Sequence, residues 1–220
     1  LLLELMAVDT ECRSLALGLL LELDQDLREG SCPRLKYRKG TSRPVPTLAF
    51  TGFSDEFYRT REEGALVESI GRAGDRAALC SAHVMNSGKS CAEITLVRED
   101  SNNSMVGLAR PTLDLGLEGA HDTPHFWGLW SRTGHAMNDA EPGRTWTGMP
   151  HSDIDGKTFG AGDVMRLLLD SDAGTLTVKM NGELLGVPWT GCLTGDLCWA
   201  VNSNAEDAAF RIKALDPADF

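Results

Sequence analysis

The sequence predicts a mainly β protein, an antiparallel β-sandwich carrying an N-terminal helical extension, and three observations lead there. Several short segments alternate apolar and polar residues with period two. Gly, Asp and Asn turn signals separate those segments. No run of alternating long helices accompanies the strands, which argues against a doubly wound α/β fold.

Taken in order, residues 1 to about 29 have helical character: Leu15, Leu19, Leu23 and Leu27 recur every four residues, as do Cys12, Ala16 and Leu20. So broad an apolar stripe needs a surface to cover it, either its own domain or another subunit. Residues 30–46 concentrate Arg34, Lys36, Arg38, Lys39 and Arg43 among glycines and prolines, the composition of a linker or exposed arm. Phe50, Phe53 and Phe57 then point to a segment anchored on a core, through a short helix or a loop. This gives an extension over residues 1–63 and a sandwich over 64–220.

Within the sandwich, Cys91 to Val97 places Ala92, Ile94 and Leu96 on one face and Glu93 and Thr95 on the other. Met105 to Ala109, Phe126 to Trp130 and the apolar run Asp163 to Leu169 read as further strands. Thr175 to Met180 alternates again, and Asn181-Gly182 behind it suits a tight type I′ turn, so a hairpin is expected there. Trp189 and Trp199 fit the core or its rim, and Phe210 with Ile212 reads as a late strand returning to the sheet.

Composition narrows the function. The 220 residues carry 21 Lys and Arg against 32 Asp and Glu, a net charge of −11 that repels a phosphate backbone and disfavours nucleic acid as a partner. The six cysteines are sparse and form no CxxC pair, so they read as reduced, mostly buried small groups in an intracellular, cytoplasmic setting rather than as a disulfide frame or zinc site. The start has no basic n-region or small-residue cleavage site of a signal peptide. The apolar run Leu15 to Leu23 is too short to cross a bilayer and contains Glu22, so no membrane association is expected.

One ordered set of residues carries a family resemblance. Phe159-Gly160-Ala161-Gly162-Asp163-Val164 is followed by Leu168-Leu169-Asp170, by Gly174-Thr175-Leu176, and by Asn181-Gly182-Glu183-Leu184-Leu185-Gly186. Upstream stand Ser87-Gly88-Lys89 before Ala92-Glu93-Ile94, then Val106-Gly107-Leu108-Ala109, then Trp127-Gly128-Leu129 with Gly134-His135. Over roughly residues 65–213 this resembles the SPRY domain family, with Trp199-Ala200-Val201 standing where that family usually has Pro-Ala-Val. The resemblance implies a concanavalin-A-like SPRY sandwich. It also implies a protein-interaction domain that recognises a peptide or protein surface through loops at one end, as a substrate adapter or scaffold within a ubiquitin-ligase or other multiprotein assembly.

Carried over by neighbourhood, the binding loops are Asp100, Ser101, Asn102 and Asn103 on one side and Asn202, Ser203 and Asn204 on the other, all able to read amides by hydrogen bonding. Trp146, in the stretch between Asn138 and His151, is the best candidate for an exposed aromatic anchor. Two other functional classes stay open. One is a structural subunit docked through the N-terminal helix, and the other is a lectin-like carbohydrate-binding sandwich.

Catalytic signals are missing. GxSxG, HExxH and GxxxxGK[ST] do not occur, so no enzyme activity and no cofactor are expected. Asp170 to Gly174 opens like a calcium loop, but Asn181 stands where its bidentate Glu belongs. His121 and His125 bracket Pro124, which spoils a helical pair of metal ligands, and no metal site is expected. Asp153, Asp155, Asp170 and Asp172 read as solvated turn carboxylates.

Overall fold

The computed structural model describes residues 45–71, 74–137 and 157–220. The expected N-terminal helix and basic arm, Trp146 with the rest of its loop, and Asp153 and Asp155 lie outside them.

Among the described residues there are twelve strands: β1 Tyr58–Arg61, β2 Leu66–Ser69, β3 Arg76–Leu79, β4 Lys89–Arg98, β5 Ser104–Ala109, β6 Phe126–Trp130, β7 Ala136–Met137, β8 Val164–Asp170, β9 Thr175–Met180, β10 Glu183–Trp189, β11 Cys198–Ser203 and β12 Ala209–Leu215. They form a seven-stranded sheet in the order β1-β2-β12-β4-β8-β9-β10 and a five-stranded sheet in the order β3-β11-β5-β6-β7, with antiparallel pairing throughout. The predicted antiparallel sandwich is the fold observed.

The strand periodicity delivers the core. Ala92, Ile94 and Leu96 of β4, Met165, Leu167 and Leu169 of β8, Leu176 and Val178 of β9, and Phe210 and Ile212 of β12 all enter one buried cluster. Val106 and Leu108 of β5 and Trp199 and Val201 of β11 meet them from the opposite sheet, and Trp189 joins at 1% exposure. Each such side chain contributes roughly 1.5–3 kcal/mol of transfer free energy, so this layer outweighs any polar contact in the fold. Leu48 and Phe50 are buried in the same cluster, with Phe53 and Phe57 packed against it. Residues 48–63 thus contribute side chains to the core. The segment is more than a loop: β1 lies within it and pairs with β2, and the short 3₁₀ helix Glu62–Gly64 follows, so the sheet takes in residues upstream of 64.

β5 and β11 are buried at every position. One face of each looks into the sandwich. The other carries Met105, Ala109, Cys198 and Ala200, and the β5–β6 connection lays Leu113 and Ala120 over them. Where β5 meets β6, Gly107 stands opposite Gly128, and a Cβ on Gly107 would come within 2.0 Å of the Trp127 carbonyl oxygen. That close approach accounts for the glycines in the Val106-Gly107 and Trp127-Gly128 pairs.

The seven-stranded sheet leaves its outer face wet. Arg59 and Arg61 both donate through Nε to Glu68 at 2.8 Å, Arg166 and Lys213 reach Glu93 at 2.9 and 2.7 Å, and Arg211 forks onto Glu62. Surface pairs of this kind contribute about 0–1 kcal/mol each, so the ladder adds little to stability.

The Phe159-to-Gly186 run is bound by one carboxylate. Asp163 accepts the Gly160 amide on Oδ2 and the Asn181 side-chain amide on Oδ1, each at 2.7 Å. Asn181 Oδ1 in turn accepts the Val164 amide at 3.0 Å. Asn181 and Gly182 have φ of 51° and 87°, the double positive φ of the expected I′ turn, which glycine adopts without strain. Asp163 therefore ties the turn entering β8 to the turn leaving β9, fixing the register of both strands. Asp163→Ala and Asn181→Ala are each expected to lower unfolding free energy by about 1 kcal/mol, and the double variant to lose less than the two losses combined. Urea denaturation checks this, and strict additivity would contradict the coupling.

Candidate functional site

The loop between β4 and β5 and the end of β11 come together at one end of the sandwich. Asn204 donates its backbone amide to the Asn103 carbonyl at 3.0 Å, so the two predicted stretches are neighbours. Their side chains have different fates. Asp100, Ser101 and Asn102 are exposed, and Asn103 and Asn204 are half-buried. Asn202 and Ser203 are fully buried because they are the last two residues of β11.

The buried pair is engaged inside the protein. Ser203 Oγ lies 2.9 Å from Ser104 Oγ, its partner in the β5–β11 register, and accepts the Ala205 amide at 3.0 Å. Asn202 donates from Nδ2 to the Asp75 carbonyl at 2.5 Å, which holds the lead into β3.

The exposed loop is braced from below by residues that sequence reasoning did not single out. Glu99 Oε1 accepts the Asn103 amide at 2.6 Å and the Ser131 hydroxyl at 3.3 Å. Trp130 donates its indole N–H to Asn103 Oδ1 at 2.9 Å, and Ser131 Oγ accepts the Ser104 amide at 3.0 Å. Asn102 takes φ of 49°, a left-handed conformation to which Asn is suited. The legible signal was the carboxylate four residues ahead of Asn103, able to cap the loop's amide.

Burial pushes the Glu99 carboxyl above the ordinary carboxylate range, the bonds from Ser104, Asn103 and Ser131 offset part of that rise, and Asp100 adds to it. Its Oε2 is buried without a hydrogen-bond partner.

Elsewhere the chemistry is muted. The Asp170 carboxyl is held below its usual value by the Ala173 amide and Lys89, as befits a turn acceptor. His121 Nε2 lies 3.3 Å from Asp122 Oδ1. Among the described residues, no group of three or more His, Cys, Asp or Glu side chains is arranged to hold a metal ion. Cys80, Cys91 and Cys198 are free and buried, with burial raising the Cys91 thiol to about 11 and the Cys198 thiol to about 12, whereas Cys192 is exposed. No helix among the described residues is long and apolar enough to cross a membrane.

No family model matches the sequence, and no curated protein matches it. Solved structures do. The SPRY domain of human HERC1 superposes with a TM-score of 0.59 at 19% identity, covering 74% of this chain and 98% of that one. A human SPRY domain gives 0.52 at 15% identity, covering 74% and 96%, and the PSpry domain of TRIM65 gives 0.57 at 14%, covering 76% and 90%. The chain therefore has the fold of a SPRY domain, as the Phe159-to-Gly186 run implied.

A carboxyl whose folded value is raised weakens the fold as pH climbs from the unfolded value, about 4.3, through the folded one. Glu99→Gln is accordingly expected to gain stability relative to the parent across that window and to keep a constant difference above it. Chemical denaturation between pH 4 and 8 tests this on the scale of roughly one pKa unit being 1.4 kcal/mol, and a pH-independent difference would contradict it.

Proposed function

We propose that the protein is a non-enzymatic interaction domain that recognises a peptide or protein surface through the loop end of its sandwich. The observation that carries this reading is the braced loop. Asp100, Ser101 and Asn102 stand exposed on a base locked by Glu99, Trp130 and Ser131, so presenting them to a partner costs little ordering entropy. Asn103 and Asn204 form the floor, and Asn202 and Ser203 hold that floor to β3 and β5. Trp146, in the stretch between Asn138 and His151, belongs to the reading as an aromatic anchor on its sequence alone. The SPRY fold of HERC1 and TRIM65 domains supports an interaction role, and an adapter or scaffold in a ubiquitin-ligase or other multiprotein assembly is the setting we infer.

The test is selection from a displayed library of linear peptides on the full chain, followed by titration of the enriched sequences. Asn102→Gly keeps the left-handed backbone and removes the side chain, and Asp100→Ala removes a charge. Each is expected to weaken the selected peptides about tenfold, equivalent to 1.4 kcal/mol, with the melting temperature unchanged. Peptides that bind both variants as they bind the parent would exclude this loop as the recognition surface.

A further inference from the structure

Asn181-Gly182 is the one Asn-Gly pair in the sequence, and both residues are exposed at the tip of the β9–β10 hairpin. Such a pair carries a latent chemistry, because a glycine nitrogen with no Cβ beside it can attack the side-chain carbonyl carbon of the Asn before it. Nothing lies within 4 Å of the place a Cβ on Gly182 would take, so no neighbouring group crowds that approach. The Asn181 side chain, by contrast, is held. Its Nδ2 donates to Asp163 Oδ1 at 2.7 Å and its Oδ1 accepts the Val164 amide at 3.0 Å, while its backbone amide donates to the Val164 carbonyl at 2.9 Å. Both side-chain atoms thus face the start of β8 rather than the Gly182 nitrogen, and the nitrogen that would have to leave is tied to a carboxylate.

We propose that Asn181 is a shielded site of deamidation and that Asp163 is the group that shields it. When the hairpin tip opens, the Gly182 nitrogen bonds to Asn181 Cγ and gives up its proton, the Cγ–Nδ2 bond breaks, and Nδ2 departs as ammonia. Water then opens the five-membered imide. Attack at one carbonyl leaves aspartate, and attack at the other leaves isoaspartate, whose main chain runs through the β-carbon. Neither product rebuilds the tie. Aspartate sets a second carboxylate against Asp163 and has no N–H to donate when ionised. Isoaspartate adds a backbone atom to the two-residue turn that pairs Met180 with Glu183 and sets the β9–β10 register. The modification therefore runs one way, and each opening of the tip exposes the chain to losing the bond that kept the tip closed.

The experiment is incubation of the full chain at neutral pH beside a free peptide of residues 178–185, with peptide mapping by mass spectrometry to follow ammonia loss at Asn181 and to separate the aspartate and isoaspartate products. The folded chain is expected to react at least about tenfold more slowly than the peptide, since reaction waits on local opening. Asp163→Ala should speed the folded chain about fivefold, the change in an opening equilibrium that loss of one such bond produces. Asp170→Ala, which removes the acceptor of the Ala173 amide from the turn at the other end of β9, should leave the rate unchanged. Asn181→Asp, which makes the aspartate product directly, should unfold at a lower urea concentration than Asn181→Ala. The comparison of parent with peptide needs no variant and stands should Asp163→Ala fold poorly. Equal rates in the folded chain and the peptide, equal acceleration by Asp163→Ala and Asp170→Ala, or an Asn181→Asp chain as stable as the parent would overturn the proposal.

Discussion

Burial of the five-stranded sheet on both faces governs the rest of this structure. A strand such as β11, with Trp199 and Val201 in the sandwich core and Cys198 and Ala200 under Leu113 and Ala120, has no wet side. Polar residues there must look for partners within the protein: Ser203 and Ser104 pair with each other and Asn202 Nδ2 donates to the Asp75 carbonyl, while Asn202 Oδ1 stays buried without a partner. The sheet therefore works as a scaffold. The side chains left exposed at its loop end include Asp100, Ser101 and Asn102.

This division explains what the sequence made legible. Strands with one wet face keep a period-two pattern, and β9 was read from it residue for residue and β4 in its central part, whereas β8 was read from its apolar run. β11 has none, because an apolar run ending in Asn and Ser resembles a strand followed by a turn, and only the pairing with β3 and β5 shows that Asn202 and Ser203 complete the strand. β1 was obscured by Arg59 and Arg61, whose charges read as loop but alternate with Tyr58 and Thr60 on an edge strand. The loop Asp100 to Asn103 was found through family likeness. Its supports, Glu99, Trp130 and Ser131, come from separate strand ends, and no local pattern announces a contact made across the sheet.

The motif that gave the fold away proves to be architectural. Asp163 joins two turns about twenty residues apart, so Gly160, Asp163, Asn181 and Gly182 serve strand register. Electrostatics divides the same way. Turn and sheet-face carboxylates, Asp170, Glu68 and Glu93, are held low by their partners, whereas Glu99 beneath the exposed loop is raised by burial. Depth and neighbours, which a sequence does not display, decide which carboxylate is which.

Native-state hydrogen exchange of the full chain, resolved by residue, tests the doubly covered sheet most directly. The account predicts that the amides of Val106, Leu108, Trp199 and Val201 exchange only through global unfolding and are the slowest in the sandwich, while those of the edge strands β1 and β10 exchange through local opening. If β5 and β11 exchanged as fast as those edges, the covering by residues 110–125 would not hold in solution. The five-stranded sheet would then be an open surface rather than a scaffold.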